Sequence, residues 1–163
     1  MADLELTRTS VARRLYALEG VGTLRLQGLL GRRATAEADG STWRFARRGF
    51  WGPVEVTDAA RSAAGAFEPR GLGRRGGTLR WGGSEFALRP ASSWRERYAL
   101  AVGDRELALL DGKGWGRRPV RVTVDDVSAV EPGPLLFAAF VVRGLAEDAQ
   151  GAAGAGSSAA ATG

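Results

Sequence analysis

Three tryptophans of this chain stand beside arginines: Arg47 and Arg48 precede Trp51, Arg95 follows Trp94, and Arg117 and Arg118 follow Trp115. Arg74 and Arg75 form a further pair inside the glycine-rich stretch 71–77. A guanidinium presents planar donors that match a phosphate in a two-pronged contact. An indole ring at a loop tip suits the headgroup level of a bilayer. The candidate headgroup contacts are therefore Arg47, Arg48, Arg74, Arg75, Arg117 and Arg118, with Trp51 and Trp115 as interfacial anchors. The same residue types also suit single-stranded nucleic acid, through stacking and backbone neutralisation. Loops that fold back over a core, leaving the arginines solvated, fit the pattern as well.

Catalytic chemistry has little to draw on. The chain has neither histidine nor cysteine, which removes the commonest general base, the commonest zinc ligands and the thiol nucleophile. Gly82-Gly83-Ser84-Glu85-Phe86 opens like a nucleophile elbow but lacks the closing glycine and any histidine to activate Ser84. The carboxylate pairs are Asp125-Asp126, Asp104 with Glu106, and Glu147-Asp148. Neighbours on a strand point to opposite faces, so turn or solvated-edge roles are expected of these acids. Gly71-Leu72-Gly73-Arg74-Arg75-Gly76 matches G-x-G-x-x-G, a dinucleotide signature that works only between a strand and a helix. Here Thr78-Leu79-Arg80-Trp81 follows and alternates as a strand, which makes the motif a hairpin loop. The reading is non-enzymatic, with no catalytic residues, no cofactor and no metal.

The net charge of +5 and the isoelectric point near 10.8 favour an anionic partner. Lys113 is the only lysine among 23 basic residues, isoleucine and asparagine are absent, and glycine and alanine abound. That is the bias of a G+C-rich coding sequence, so the charge carries information and the choice of arginine carries little. The N-terminus has no apolar stretch of the secretory type, and the lack of cysteine fits the cytoplasm.

These residues need a scaffold, and period-2 alternation supplies it. Arg14–Glu19 and Thr23–Leu26 flank a glycine turn, and Ala34–Ala38 leads into Asp39-Gly40. Trp43 and Phe45 share one face with Arg44 on the other, a half-buried strand that marks Trp43 as core. Val54 and Val56, the weaker Ala64–Glu68, Leu79 with Trp81, Phe86 with Leu88, Tyr98 to Val102, Leu107 with Leu109, and Val120 to Val124 continue the series. About eleven short strands with regular turn signals predict a sandwich or barrel.

The run Leu135–Val142 breaks the pattern with eight consecutive apolar residues. It has no solvent face and must be surrounded, yet a bilayer-crossing helix needs about 20 residues. Pro134 at a first helical position and Gly144 as a stop favour a helix over about 133–146. A fully buried strand fits the same run, because periodicity cannot separate the two. The boundaries read from the sequence are a lead-in over 1–11, a single domain over 12–147, and a disordered Ala/Gly/Ser tail over 148–163.

Short antiparallel strands closing around one hydrophobic C-terminal helix resemble the tubby C-terminal domain superfamily, which includes phospholipid scramblases and LURP-one-related proteins. The likeness rests on Thr42-Trp43-Arg44-Phe45, Glu85-Phe86-Ala87-Leu88, Tyr98-Ala99-Leu100, Arg117–Val124 and Leu135–Val142. It implies a mainly β fold, a closed antiparallel barrel of about 11–12 strands around a buried C-terminal helix, and binding of anionic phospholipid headgroups through basic side chains. The acidic loop, the cysteine-rich segment and the membrane-spanning tail of scramblases have no counterpart here, so the resemblance implies headgroup binding without scrambling. The expected location is the cytoplasm, peripheral to the inner face of the membrane. A protein-interaction scaffold and sequence-tolerant nucleic-acid binding are the alternative classes.

Overall fold

Alternation along each strand divides the chain into inward apolar and outward polar residues, and that division closes a barrel. The computed structural model describes residues 1–49, 52–71, 75–113 and 116–160. Within them lie β1 (Ala2–Ser10), β2 (Leu15–Leu18), β3 (Gly22–Gln27), β4 (Arg33–Ala38), β5 (Ser41–Arg47) and β6 (Val54–Asp58). They are followed by β7 (Ala63–Pro69), β8 (Gly77–Trp81), β9 (Ser84–Pro90), β10 (Arg97–Val102), β11 (Arg105–Gly112) and β12 (Val120–Val124). Each strand pairs antiparallel with its chain neighbours, and β1 pairs with β12 from Ala2↔Val124 to Leu6↔Val120. Closure of this kind leaves no free sheet edge.

A 3₁₀ turn, Val127–Ala129, leads from β12 into the helix α1 (Pro132–Ala160). Asp126 caps that turn by accepting from the Ser128 backbone N–H and hydroxyl, which hold its carboxyl below the usual range. The helix threads the barrel, and Leu135 to Ala139 and Val142 are fully enclosed. Of the two structures open to the Leu135–Val142 run, the helix is the one that forms.

Size complementarity decides where the helix lies. Gly22 faces Leu136, and a Cβ there would come within 2.9 Å of the Leu136 side chain. A Cβ on Gly112 would meet Val142 and Ala146 at the same distance. Ala34, Ala36 and Ala38 on β4 and Ala108 on β11 are likewise buried with small side chains. On β5 and β7 the buried Phe45 and Phe67 fill the space, and Phe45 packs on Phe137 and Phe140 at centroid separations of 5.0 and 5.5 Å. Small residues on β3, β4 and β11 let the helix come close to those strands, and aromatic volume from β5 and β7 fills the space left between.

Three boundaries differ from those read in the sequence. The lead-in is a barrel strand: β1 closes the sheet, although only Ala2, Leu4 and Leu6 carry its inward pattern. Gly144 does not stop the helix; its bare Cα lies against the Arg47 guanidinium, 3.1 Å from where a Cβ would stand. The tail read as disordered from 148 onward is helical to Ala160, where alanine, the strongest helix former, offsets the glycines.

Candidate functional site

Because successive strands run in opposite directions, successive connections alternate between the two barrel ends. Segments 11–14, 28–32, 48–53, 70–76, 91–96 and 113–119 join strands at the end where α1 leaves. Within them the described basic residues are Arg13, Arg14, Arg32, Arg48, Arg70, Arg75, Arg95, Lys113, Arg117 and Arg118, and Glu96 is the only acid. The opposite end carries Glu19, Asp39, Asp104, Asp125, Asp126 and Glu131 against Arg61. The molecule is thus polarised along the barrel axis, with a basic exit end and an acidic entry end.

The described arginines singled out from the sequence belong to that exit end but do different things there. Arg47 is nearly buried and ion-paired with Asp148 of α1, so its charge is spent on holding the helix. Arg75 donates to the Ser92 and Arg95 carbonyls at 3.1 and 3.0 Å, faces Glu96 at 3.7 Å, and lies over the Tyr98 ring at 6.0 Å. It braces the 91–96 connection from behind. Arg48 pairs with Glu55 and Arg118 with Glu5, both on exposed surface. Such surface pairs are weakly held and readily exchanged for another anion. Arg117 is exposed, and its carbonyl accepts from the Arg8 backbone N–H. Arg74, Trp51 and Trp115 lie outside the described residues.

The three described tryptophans divide as their spacing implies. Trp43 and Trp81 meet edge to face at 5.1 Å, and Trp81 packs 5.9 Å from Phe137, sealing the entry end. Trp94 stands 95 % exposed on the 91–96 connection of the exit end. The element that follows the G-x-G-x-x-G residues is the strand β8, where a pyrophosphate site would need a helix; residues 72–74 lie outside the described residues.

Sequence reasoning missed the residues closest to the helix exit. Arg143, on α1 between the core residues Val142 and Leu145, is 5 % exposed, and its guanidinium donates to both Glu147 oxygens at 3.2 and 3.1 Å. Burial pulls its pKa down while Glu147 pushes it up. A basin of about 270 Å³ opens beside this pair, walled by Arg14, Arg32, Arg47, Leu29, Leu30, Glu147 and Asp148. The missing signal was the alternation of connections, which assigns every second loop to one end once the strands are counted.

Fold and rim together define a twelve-stranded antiparallel barrel, filled by its own C-terminal helix and basic at one end. No family model matches the sequence, and comparison with curated proteins and with solved structures likewise finds no match. Among the described residues no helix is long and apolar enough to cross a membrane, and no three acidic side chains gather as a metal site would require.

Proposed function

We propose that this protein is a non-enzymatic binding domain for anionic phospholipid headgroups at a membrane surface. One observation carries the reading: alternating connections collect the loop arginines at the exit end and the loop acids at the other. A charge distribution of this kind both attracts an anionic surface and orients the barrel upon it, exit end first. Arg48, Arg117 and Arg118 are the exposed contacts of the sequence-derived set, whereas Arg47 and Arg75 position the helix and the 91–96 connection. The filled interior leaves the ligand to the rim and not to the lumen. A tubby-like ancestry fits this reading through strand order and the central helix.

Co-sedimentation with phosphatidylserine-containing vesicles tests it. The protein is expected to pellet at low ionic strength, to lose binding as salt screens the contacts, and to bind more weakly as the Arg48→Ala/Arg117→Ala/Arg118→Ala variant. Failure to pellet with anionic vesicles at low salt overturns the reading. Salt-sensitive retention of single-stranded oligonucleotides in its place would assign the rim to nucleic acid.

A further inference from the structure

The 28–32 connection carries an anomaly of composition. Gly28-Leu29-Leu30-Gly31 forms a tight turn closed by the Gly31 N–H donating to the Gly28 carbonyl at 3.4 Å, with two leucines at its tip. Turn tips ordinarily carry glycine, proline, asparagine, aspartate or serine. Here Leu29 is 98 % exposed and Leu30 60 %. Gly28 and Gly31 both have positive φ, at 76° and 61°, which lets the backbone reverse on either side of the leucines and present them outward.

The turn is also braced. Arg14 donates to the Gly28 carbonyl from the neighbouring 11–14 connection. A Cβ on Gly31 would stand 3.1 Å from the buried Arg143 guanidinium and 3.3 Å from that of Arg14. Two guanidiniums therefore support the base of the turn while its tip stands in solvent. Next to it, the 11–14 connection exposes Val11 beside Arg13. Exposed single apolar residues are ordinary, but these sit on adjacent loops of the basic end.

We propose that the Leu29–Leu30 turn, with Val11 beside it, is a hydrophobic wedge that enters the headgroup–acyl boundary of an anionic bilayer while Arg13 and Arg14 meet the phosphates. This rests on the headgroup reading above and assigns it a particular part of the rim. Charge complementarity selects the occupant, because an apolar tip on the basic end of the barrel matches a surface that is anionic outside and apolar beneath. The geometry also sets a tilt. From residue 151 to 160, past the contact of Gln150 with the Lys113 carbonyl, α1 continues for roughly 15 Å beyond the rim, at 1.5 Å per residue. With α1 projecting, a flat surface meets the exit end on one side of the helix, and the wedge assigns that side to the β1–β2 and β3–β4 connections.

The absence of cysteine makes the test clean. A Leu29→Cys variant, labelled with an environment-sensitive fluorophore and mixed with phosphatidylserine/phosphatidylcholine vesicles, is expected to shift to the blue and to be quenched by bilayer-embedded spin-labelled lipid. A label at Val102→Cys, exposed at the entry end, is expected to do neither. The unlabelled Leu29→Ser/Leu30→Ser variant should keep its melting temperature and bind such vesicles roughly tenfold more weakly, with less binding surviving high salt. Pelleting with vesicles without any change at position 29, or equal quenching at positions 29 and 102, overturns the wedge and leaves the headgroup reading standing. No pelleting at all overturns both. Self-association abolished by the same double substitution, without vesicle binding, assigns the turn to a second copy of the chain and overturns the wedge.

Discussion

The Arg47 guanidinium at the end of β5 is ion-paired with Asp148 on α1, across 101 positions of sequence, and both side chains are nearly buried. The pair fastens the helix where it leaves the barrel. Removing one partner strands a charge in a poorly solvated place, so Arg47→Ala is expected to cost on the order of 3 kcal/mol in urea unfolding. Replacing both at once, as Arg47→Met/Asp148→Leu, is expected to cost far less. Equal losses in the single and double variants would show that the ion pair contributes nothing specific.

At the other end, Gly133 begins the helix against Trp81. A Cβ there would lie 2.2 Å from the indole ring, so Gly133→Ala forces Trp81 outward and loosens its edge-to-face contact with Trp43. The expected outcome is a loss of about 1–3 kcal/mol, with weakened near-ultraviolet dichroism. A near-ultraviolet spectrum identical to that of the parent would refute this account of the entry end.

Phe137 touches both Phe45 and Trp81 and is fully buried. Phe137→Ala opens a cavity between helix and wall and is expected to destabilise by about 3–5 kcal/mol. Phe137→Leu should cost less, since it refills part of the space. Thermal melts of the two variants check the order.

Tyr98 is fully buried, and its hydroxyl donates to Glu96. Burial first, and that carboxylate second, raise its pKa above the ordinary 10.0. Since the unfolded chain ionises first, the contribution of Tyr98 is intact below pH 10.0 and declines as the pH rises above it toward the folded value. Denaturant midpoints measured between pH 9 and 12 should fall more steeply for the parent than for Tyr98→Phe. Parallel declines would remove Tyr98 as the cause.

Strands with a strong inward stripe, such as Val120, Val122 and Val124, were plain in the sequence because every second residue is a large aliphatic and every other is polar. β1 was not, because Leu4 and Leu6 are followed by Arg8 and Ser10 at the same inward phase, and only pairing with both β12 and β2 makes a strand of it. The buried helix announced itself through Leu135–Val142, whereas its continuation to Ala160 rests on backbone propensity, which alternating glycine and alanine obscure. The arginine pairs were visible, but their division of labour was not. Only proximity in the fold shows Arg47 holding the helix and Arg75 bracing a loop, while Arg48 and Arg118 keep to the surface. The Leu29–Leu30 turn was invisible because two leucines between glycines carry no period.

Chain order has a consequence for synthesis. The strands emerge first and the helix that fills them last, and closure awaits the pairing of β1 with β12, whose partners Leu6 and Val120 lie far apart in the chain. Until α1 arrives, a nascent chain holds an open sheet with unpaired margins and an unfilled apolar lining, the state in which strands find wrong partners. The helix α1 thus completes the interior of the strands that precede it, and a ribosome stalled before residue 135 would leave a product in need of a chaperone.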